Sequence, residues 1–317
     1  MAAPLRFRGS FFRPNLHLHV YKKGNRRNTK EEILKLVQSR AEQAGIIYCL
    51  SRKGVEQTTA FLTEHGVRAM PYHAGMEANQ RNRAQEAFQH DNVEVIVATV
   101  AFGMGIDKSN IRYVIHRDMP KSIEGHYQEI GRAGRDGVES DCVLFYSWSE
   151  VLSYDRFLDD ITDHQLKKRL KTQTREMFTW AERKICRHKG LVSYFGEAIP
   201  ACNTSCDICG TWDLLKEIRP TVPIRPIARG KKQVSVTVDK IPDEASALFT
   251  RLKALRKRLA DEKGLPAYIV FSDAVLLQMA AQRPSTEADL LQISGVGPKK
   301  LAQYGALFLA ELRQEFS

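Results

Sequence analysis

Two arginines, Arg132 and Arg135, stand three residues apart in YQEIGRAGRDG (Tyr127–Gly137), each directly after a glycine. A guanidinium is planar and permanently charged. Beside glycines that let backbone approach closely, a pair of them suits a phosphate. The plainer use of the same residues is local pairing with Asp136 and Glu129.

A second group carries different chemistry. Cys186, Cys202, Cys206 and Cys209 lie in CRHKGLVSYFGEAIPACNTSCDIC, with spacing C-x15-C-x3-C-x2-C. Four clustered thiolates suit a tetrahedral zinc ion with Zn–S near ~2.3 Å. Such a site leaves no open position, so its role would be structural; disulfides or free thiols are the alternatives. The other two cysteines, Cys49 in GIIYCL and Cys142 in DCVLFY, fall in apolar runs and read as inert core residues.

Three further segments place small polar residues and glycines after apolar runs. YCLSRKG offers Ser51 and Arg52, and YHAGM offers His73. VIVATVAFGMGIDK offers Thr99, then Gly103, Gly105 and Asp107. Hydroxyls and backbone N–H groups in such places can follow a phosphate backbone without reading its sequence.

These groups need a scaffold. From Gly45 to Tyr146 short apolar runs (GIIYCL, VRAMPYH, VEVIVAT, IRYVIHRD, CVLFY) alternate with helical patterns (SRKGVEQTTAFLTEHG, EANQRNRAQEAFQHD). That alternation predicts an α/β fold, a parallel sheet with helices on both faces, with function gathered at the carboxyl ends of the strands. From Ser149 to Phe195 the pattern is helical. RPTVPIRPIARGKKQ reads as an exposed linker. From Asp243 onward a compact helical stretch carries an apolar stripe at Leu248, Leu252, Leu255 and Leu259, a helix's core face.

The chain of 317 residues is 43% hydrophobic and carries a net charge of +11. The composition is globular, and no apolar run approaches the roughly 20 residues of a membrane span. The excess charge points to a polyanionic partner. It is uneven: residues 162–190 hold nine Lys/Arg against three acids, whereas 241–317 are nearly balanced at ten against nine.

In order and spacing, GIIYCLSR, YHAGM, VIVATVAFGMGIDK and YQEIGRAGRDG resemble the second motor domain of RecQ-family DNA helicases, and SFFRPNLHLHV resembles the segment that enters it. The likeness runs from about Ser10 to Gly210. It implies a RecA-like sheet over residues 1–147, a helical zinc-binding domain over 148–212 and a linker over 213–242. It also implies ATP-dependent, 3′ to 5′ DNA unwinding in repair and recombination. On this resemblance Arg135 is the arginine finger, Arg132 a second phosphate contact and Gln128 a residue that sets the loop, with Gly105 and Asp107 also near the nucleotide. Ser51, Arg52, His73 and Thr99 form the DNA track. The family's four-cysteine zinc site falls on Cys186, Cys202, Cys206 and Cys209, though its usual spacing between second and third ligands is two residues, not three. Residues 243–317 resemble the small all-α HRDC domain of RecQ helicases and RNase D, with Lys299 and Lys300 in ISGVGPKKLAQYG beside a turn that offers N–H groups to a phosphate; weak single-strand binding and a packing or protein-interaction role are the alternatives.

The implied partners are single-stranded, branched or partly duplex DNA, a single-strand-binding protein, and structural Zn2+. ATP and Mg2+ require a first motor domain, in cis or in trans, because the sequence contains no G-x-x-x-x-G-K-[ST]. The nearest string, SGVGPKKL, has the wrong spacing, and PDEAS reads as a helix start with Asp243 near the N-cap. The chain alone is therefore not expected to hydrolyse ATP; the alternative to the helicase part is a non-catalytic DNA-binding fragment or split-gene subunit that supplies the arginine finger in trans. Nor does a winged helix fit between Thr211 and Asp243. The expected location is cytoplasmic, on the nucleoid when bound to DNA, with no membrane.

Overall fold

The computed structural model describes residues 9–24, 28–99, 102, 108–210, 212–218 and 243–313. Its first part runs β1 (Leu16–Lys22), α1 (Thr29–Ser39), β2 (Ala44–Tyr48), α2 (Arg52–Glu64), β3 (Ala69–Tyr72), α3 (Ala78–Gln89), β4 (Val95–Ala98), β5 (Ile111–His116), α4 (Ile123–Ile130) and β6 (Ser140–Tyr146). The six strands form one sheet in the order β1-β6-β5-β2-β4-β3, and every pairing is parallel.

Side chains alternate across a strand, and both faces are covered. Ile46, Tyr48, Ile96, Ala98, Val114, Cys142 and Leu144 share one buried cluster with Ala84 and Phe88 of α3 and Ile123 and Ile130 of α4. Ile47, Val95, Val97, Tyr113, Ile115, Val143 and Phe145 face the opposite way, onto α1 and α2. Cys49 and Cys142 are buried, and burial raises both thiol pKa values, Cys49 to about 11, which leaves them protonated. The apolar pattern anticipated five strands but not β1 or α1. In β1 the histidines of LHLHVYK break the apolar run, yet His19 is buried, with Trp212 4.6 Å away and Asp141 at 3.7 Å.

Three helices follow, α5 (Trp148–Phe157), α6 (His164–Glu182) and α7 (Arg187–Tyr194). Local chemistry fixes their starts: Ser147 and Glu150 make a capping box on α5, and Asp163 accepts the N–H groups of Gln165 and Leu166 on α6. A short α8 (Leu214–Glu217) buries Leu214 in the core shared with α1 and α2, so residues expected in the linker pack onto the sheet domain.

The last part contains α9 (Asp243–Glu262), α10 (Ala267–Val270), α11 (Asp273–Gln282), α12 (Glu287–Gln292), α13 (Pro298–Lys300), a π-helical turn at Leu301–Gly305, and α14 (Ala306–Arg313). Leu248, Leu252, Leu255 and Leu259 are buried in a core of its own. Helix α12 opens with a capping box in which Thr286 is the N-cap and Asp289 the third helical residue.

Candidate nucleotide and nucleic-acid site

Strands β2, β4 and β3 are neighbours, so their carboxyl ends form one rim. At its start Ser51 caps α2, its hydroxyl accepting the Gly54 N–H at 3.0 Å. Arg52 is exposed and lies across the β3 loop, where a Cβ on Gly75 would stand 3.0 Å from its Nη1. The Thr99 N–H donates to the Tyr72 carbonyl at 3.2 Å, joining the ends of β4 and β3. His73 turns inward and is buried, its Nε2 2.7 Å from Glu56. The rim thus presents Ser51 and Arg52, with Thr99 half-buried and His73 acting as a loop support. Gly103, Gly105 and Asp107 lie outside the described residues.

The arginine loop occupies a different place. It leaves α4 and returns to the amino end of the sheet, where the Gly134 N–H donates to the carbonyl of Ile111, first residue of β5, at 2.9 Å. Gly134 (φ +56°) and Gly137 (φ +83°) are left-handed, a conformation glycine accepts without steric strain. The Arg13 guanidinium holds the loop, donating to Gly131 O at 3.3 Å, Ala133 O at 2.9 Å and Gly134 O at 2.6 Å. Asn15 Nδ2 donates to Gly134 O and Val138 O at 2.9 and 3.1 Å. Asp136 is bound by Arg112 at 2.6 Å, and Glu129 lies 2.7 Å from His116 Nε2. Arg135 is exposed near the end of this braced turn and Gln128 is exposed on α4. Arg132 is half-buried beside the Tyr48 hydroxyl. That hydroxyl donates to Phe102 O at 3.1 Å, so Tyr48 lies between the arginine loop and the segment after β4. Beneath them His126 is buried; burial first, then the neighbouring His116, lowers its pKa well below the usual value and keeps it neutral.

Sequence reasoning found the loop and missed its supports. Arg112 has no motif of its own; Arg13 and Asn15 stand in SFFRPNLHLHV, a segment matched as a whole with no role given to either residue, and Arg13 lies more than a hundred residues from the loop it holds.

The four cysteine sulfurs lie within 4.8 Å of one another, close to the spacing a tetrahedral zinc site requires. Backbone N–H groups of Lys189 and Cys202 point at the Cys186 sulfur at 3.5 and 3.3 Å, and Cys209 N–H at the Cys206 sulfur at 3.4 Å. Such donors favour thiolates, so the residues fit the ion. The cluster is anchored to the sheet. Leu18 N–H donates to Ser205 O at 3.1 Å and Asp207 N–H to Leu18 O at 2.9 Å, so residues 205–207 cover the edge of β1. Arg187, buried at the start of α7, grips Asp207 with two bonds of 2.8 and 3.0 Å.

On α6, His164, Lys167, Lys168, Lys171, Thr172 and Arg175 line an open groove of about 320 Å³. Asp159 and Asp155 answer Lys167 and Arg175. In the last domain Lys299 is exposed, whereas Lys300 is half-buried with its ammonium 5.5 Å from the Phe271 ring centre, and burial lowers its pKa. Only one of the two lysines expected at DNA is thus fully presented.

A parallel RecA-like lobe with a braced arginine loop, fused to a four-cysteine module, defines a helicase motor lobe. Residues 28–137 match the helicase conserved C-terminal domain, 148–210 the RecQ zinc-binding family and 245–312 the HRDC domain. The ATP-dependent DNA helicase RecQ of Pasteurella multocida is 31% identical over 99% of this chain and 64% of its own length; its counterpart in Bacillus subtilis is 31% identical over 96% and 65%. The ATP-dependent helicase SGS1 of Saccharomyces cerevisiae is 41% identical over 65% of this chain and 14% of its own length. The chain belongs to the RecQ helicase family. It spans 64% of the length of the Pasteurella relative, and that alignment occupies 409 positions against 317 residues here.

Proposed function

We propose that this chain supplies the second motor lobe, structural zinc module and HRDC domain of an ATP-dependent DNA helicase of RecQ type, moving 3′ to 5′ in repair and recombination. The observation that carries the reading is the arginine loop: Arg13, Asn15 and Arg112 brace it, and Arg135 stands exposed near its end. In this reading a second motor domain, in cis or in trans, grips the triphosphate and its Mg2+, and Arg135 reaches the γ-phosphate across the cleft. A guanidinium there offsets the charge that develops on the transferred phosphoryl group. Arg132 supports the cleft from beside Tyr48. Ser51, Arg52 and Thr99 follow the DNA backbone along the strand ends, and the basic face of α6 adds phosphate contacts. Cys186, Cys202, Cys206 and Cys209 hold zinc, which supplies folding energy rather than chemistry. A single-strand-binding protein fits as an attendant partner on the same DNA.

The test supplies the complementary motor domain and measures ATP hydrolysis with and without single-stranded DNA. Hydrolysis should rise on adding DNA. Arg135→Ala should lower kcat on the order of 10³-fold with little loss of DNA affinity; an Arg135→Ala protein as fast as the parent would refute the assignment. For the DNA surface, Lys168→Glu with Lys171→Glu should reduce the log–log salt slope by about 0.7 per lost phosphate contact. An unchanged slope would remove α6 from the interface.

A further inference from the structure

The HRDC domain meets the motor lobe on the face that carries the root of the arginine loop. Arg112, second residue of β5, is almost fully buried. Its Nη2 donates to Asp136 of the loop at 2.6 Å and to Ser109 O at 3.2 Å, and its Nε lies 3.7 Å from Asp273, first residue of α11. Asp273 is in turn bound by the buried Arg256 of α9 at 2.7 Å, whose Nη1 also donates to Phe271 O at 2.9 Å.

Three more contacts cross the same interface. Lys253 donates to Glu42 O at 3.2 Å and Lys257 to His90 O at 3.1 Å. Lys108, with no exposed side-chain surface, pairs with Asp91 and lies 5.8 Å from the ring centre of Tyr268. The patch thus sets three cations, Lys108, Arg112 and Arg256, among three carboxylates, Asp91, Asp136 and Asp273. Buried charges depend on their partners, so a change in one pair is felt by the others.

We propose that Arg112 is a positioning residue that couples docking of the HRDC domain to the conformation of the arginine loop. Arg112 is shared: its Nη2 holds the loop carboxylate at 2.6 Å, and its Nε, which donates to Asn110 O at 3.3 Å, lies within ion-pair distance of the HRDC carboxylate. With the HRDC domain seated, Asp273 helps fix Arg112 and through it Asp136. With the domain released, Arg112 hydrates on that side, and its bond to Asp136, one of the loop's three supports, is held less firmly. The functional consequence, a change in how Arg135 is presented to a nucleotide, rests on the reading of the loop given above. The coupling itself does not. It is also reciprocal: whatever HRDC docking does for the loop, the loop does for docking.

The test uses the whole chain and needs neither ATP nor DNA. Amide hydrogen exchange is followed at Gly131–Gly137, and docking is followed by the acetylation rates of Lys253 and Lys257. In Asp273→Asn, exchange in the loop should rise about tenfold and both lysines should acetylate faster. Because Asp273→Asn also leaves Arg256 short of a partner, Lys253→Ala with Lys257→Ala serves as a second variant that spares that pair; it too should raise loop exchange, with β2 amides unchanged. Asp136→Asn should in turn speed acetylation of Lys253 and Lys257. Faster lysine acetylation without faster loop exchange would overturn the coupling, and so would parent-like loop exchange in the double-alanine variant, where exchange is the readout. Either result would leave the helicase reading standing, since that is decided by the ATPase of Arg135→Ala.

Discussion

Replacing Arg13 with alanine removes the fork that holds the arginine loop. Three bonds are lost, but they are not equal. The bond to Gly131 O is long at 3.3 Å, and Gly134 O keeps Asn15 as a donor, so the principal loss is the 2.9 Å bond to Ala133 O together with the short bond to Gly134 O. Bonds from a charged donor contribute about 1.5–3 kcal/mol each, less where the site is partly open to water, as at half-buried Arg13. A net loss of about 2 kcal/mol follows. The tryptophans Trp148, Trp180 and Trp212 all lie in the motor lobe and zinc module, so their fluorescence in urea reports that unit and not the HRDC domain. With a slope near 2–3 kcal/mol per molar, the midpoint should fall by roughly 1 M urea, with the slope unchanged. Exchange at Gly131–Gly137 should rise by more than the global change. Arg13→Lys should recover less than half, since one ammonium cannot span two carbonyls as the fork does. A parent-like midpoint with unaltered loop protection would show that Asn15 and Arg112 suffice and that Arg13 is dispensable.

Gly45→Ala should destabilise the lobe by about 3 kcal/mol, because the added Cβ would stand 1.9 Å from the ring of buried Tyr113; Tyr113→Leu in the same chain should recover part, and calorimetry decides. Stability should carry an acid-sensitive contribution from Asp141. Burial alone would raise its pKa, but His19 and Arg40 hold it down at about 2, below an unfolded value of 3.8. The contribution is therefore present above about pH 4, is lost as pH falls toward 2, and amounts to about 2 kcal/mol; in Asp141→Asn the change in urea midpoint between pH 5 and pH 3 should shrink accordingly. Stripping zinc with a strong chelator should melt α7 and fray β1, seen as lost helical circular dichroism and a tryptophan shift, with metal analysis giving one zinc per chain before treatment; Cys206→Ser should reproduce the effect, and a chelated protein with an unaltered spectrum would argue against the site.

What was legible in the sequence was what local residue type determines. Ile46–Tyr48, Val95–Ala98 and Val143–Phe145 read as strands because both faces of each are apolar. The cysteines declared a site because thiolates so grouped have few other uses. The Leu248–Leu259 stripe is a helix face whatever it packs on. By contrast, β1 was hidden because its histidines read as polar, and Trp212, nearly two hundred residues later, packs against both His17 and His19. The supports of the arginine loop were hidden for the same reason: Arg13 and Arg112 meet the loop only after the sheet has brought β1 and β5 to either side of β6. Asp273, Lys253 and Lys257 resembled a solvated surface, since a near-balanced charge pattern gives no sign of which face is covered.

The two attachments to the motor lobe differ in kind, and this sets what each can do. The zinc module shares the lobe's own core: Met177, Phe178, Trp180, Leu191 and Cys206 belong to one buried cluster with Leu16, Leu18 and Val20 of β1. Apolar burial of that sort is neither reversible at low cost nor sensitive to salt, so the module behaves as part of the lobe and cannot serve as a moving part. The HRDC domain closes its own core and meets the lobe through lysines on backbone carbonyls and one shared arginine. Among the described residues no apolar cluster spans the lobe and the HRDC domain, and polar contacts of that kind are typical of interfaces between domains that move. A domain built to dock and release would be attached in this second way, and the arginine it shares with the loop is where release would be felt.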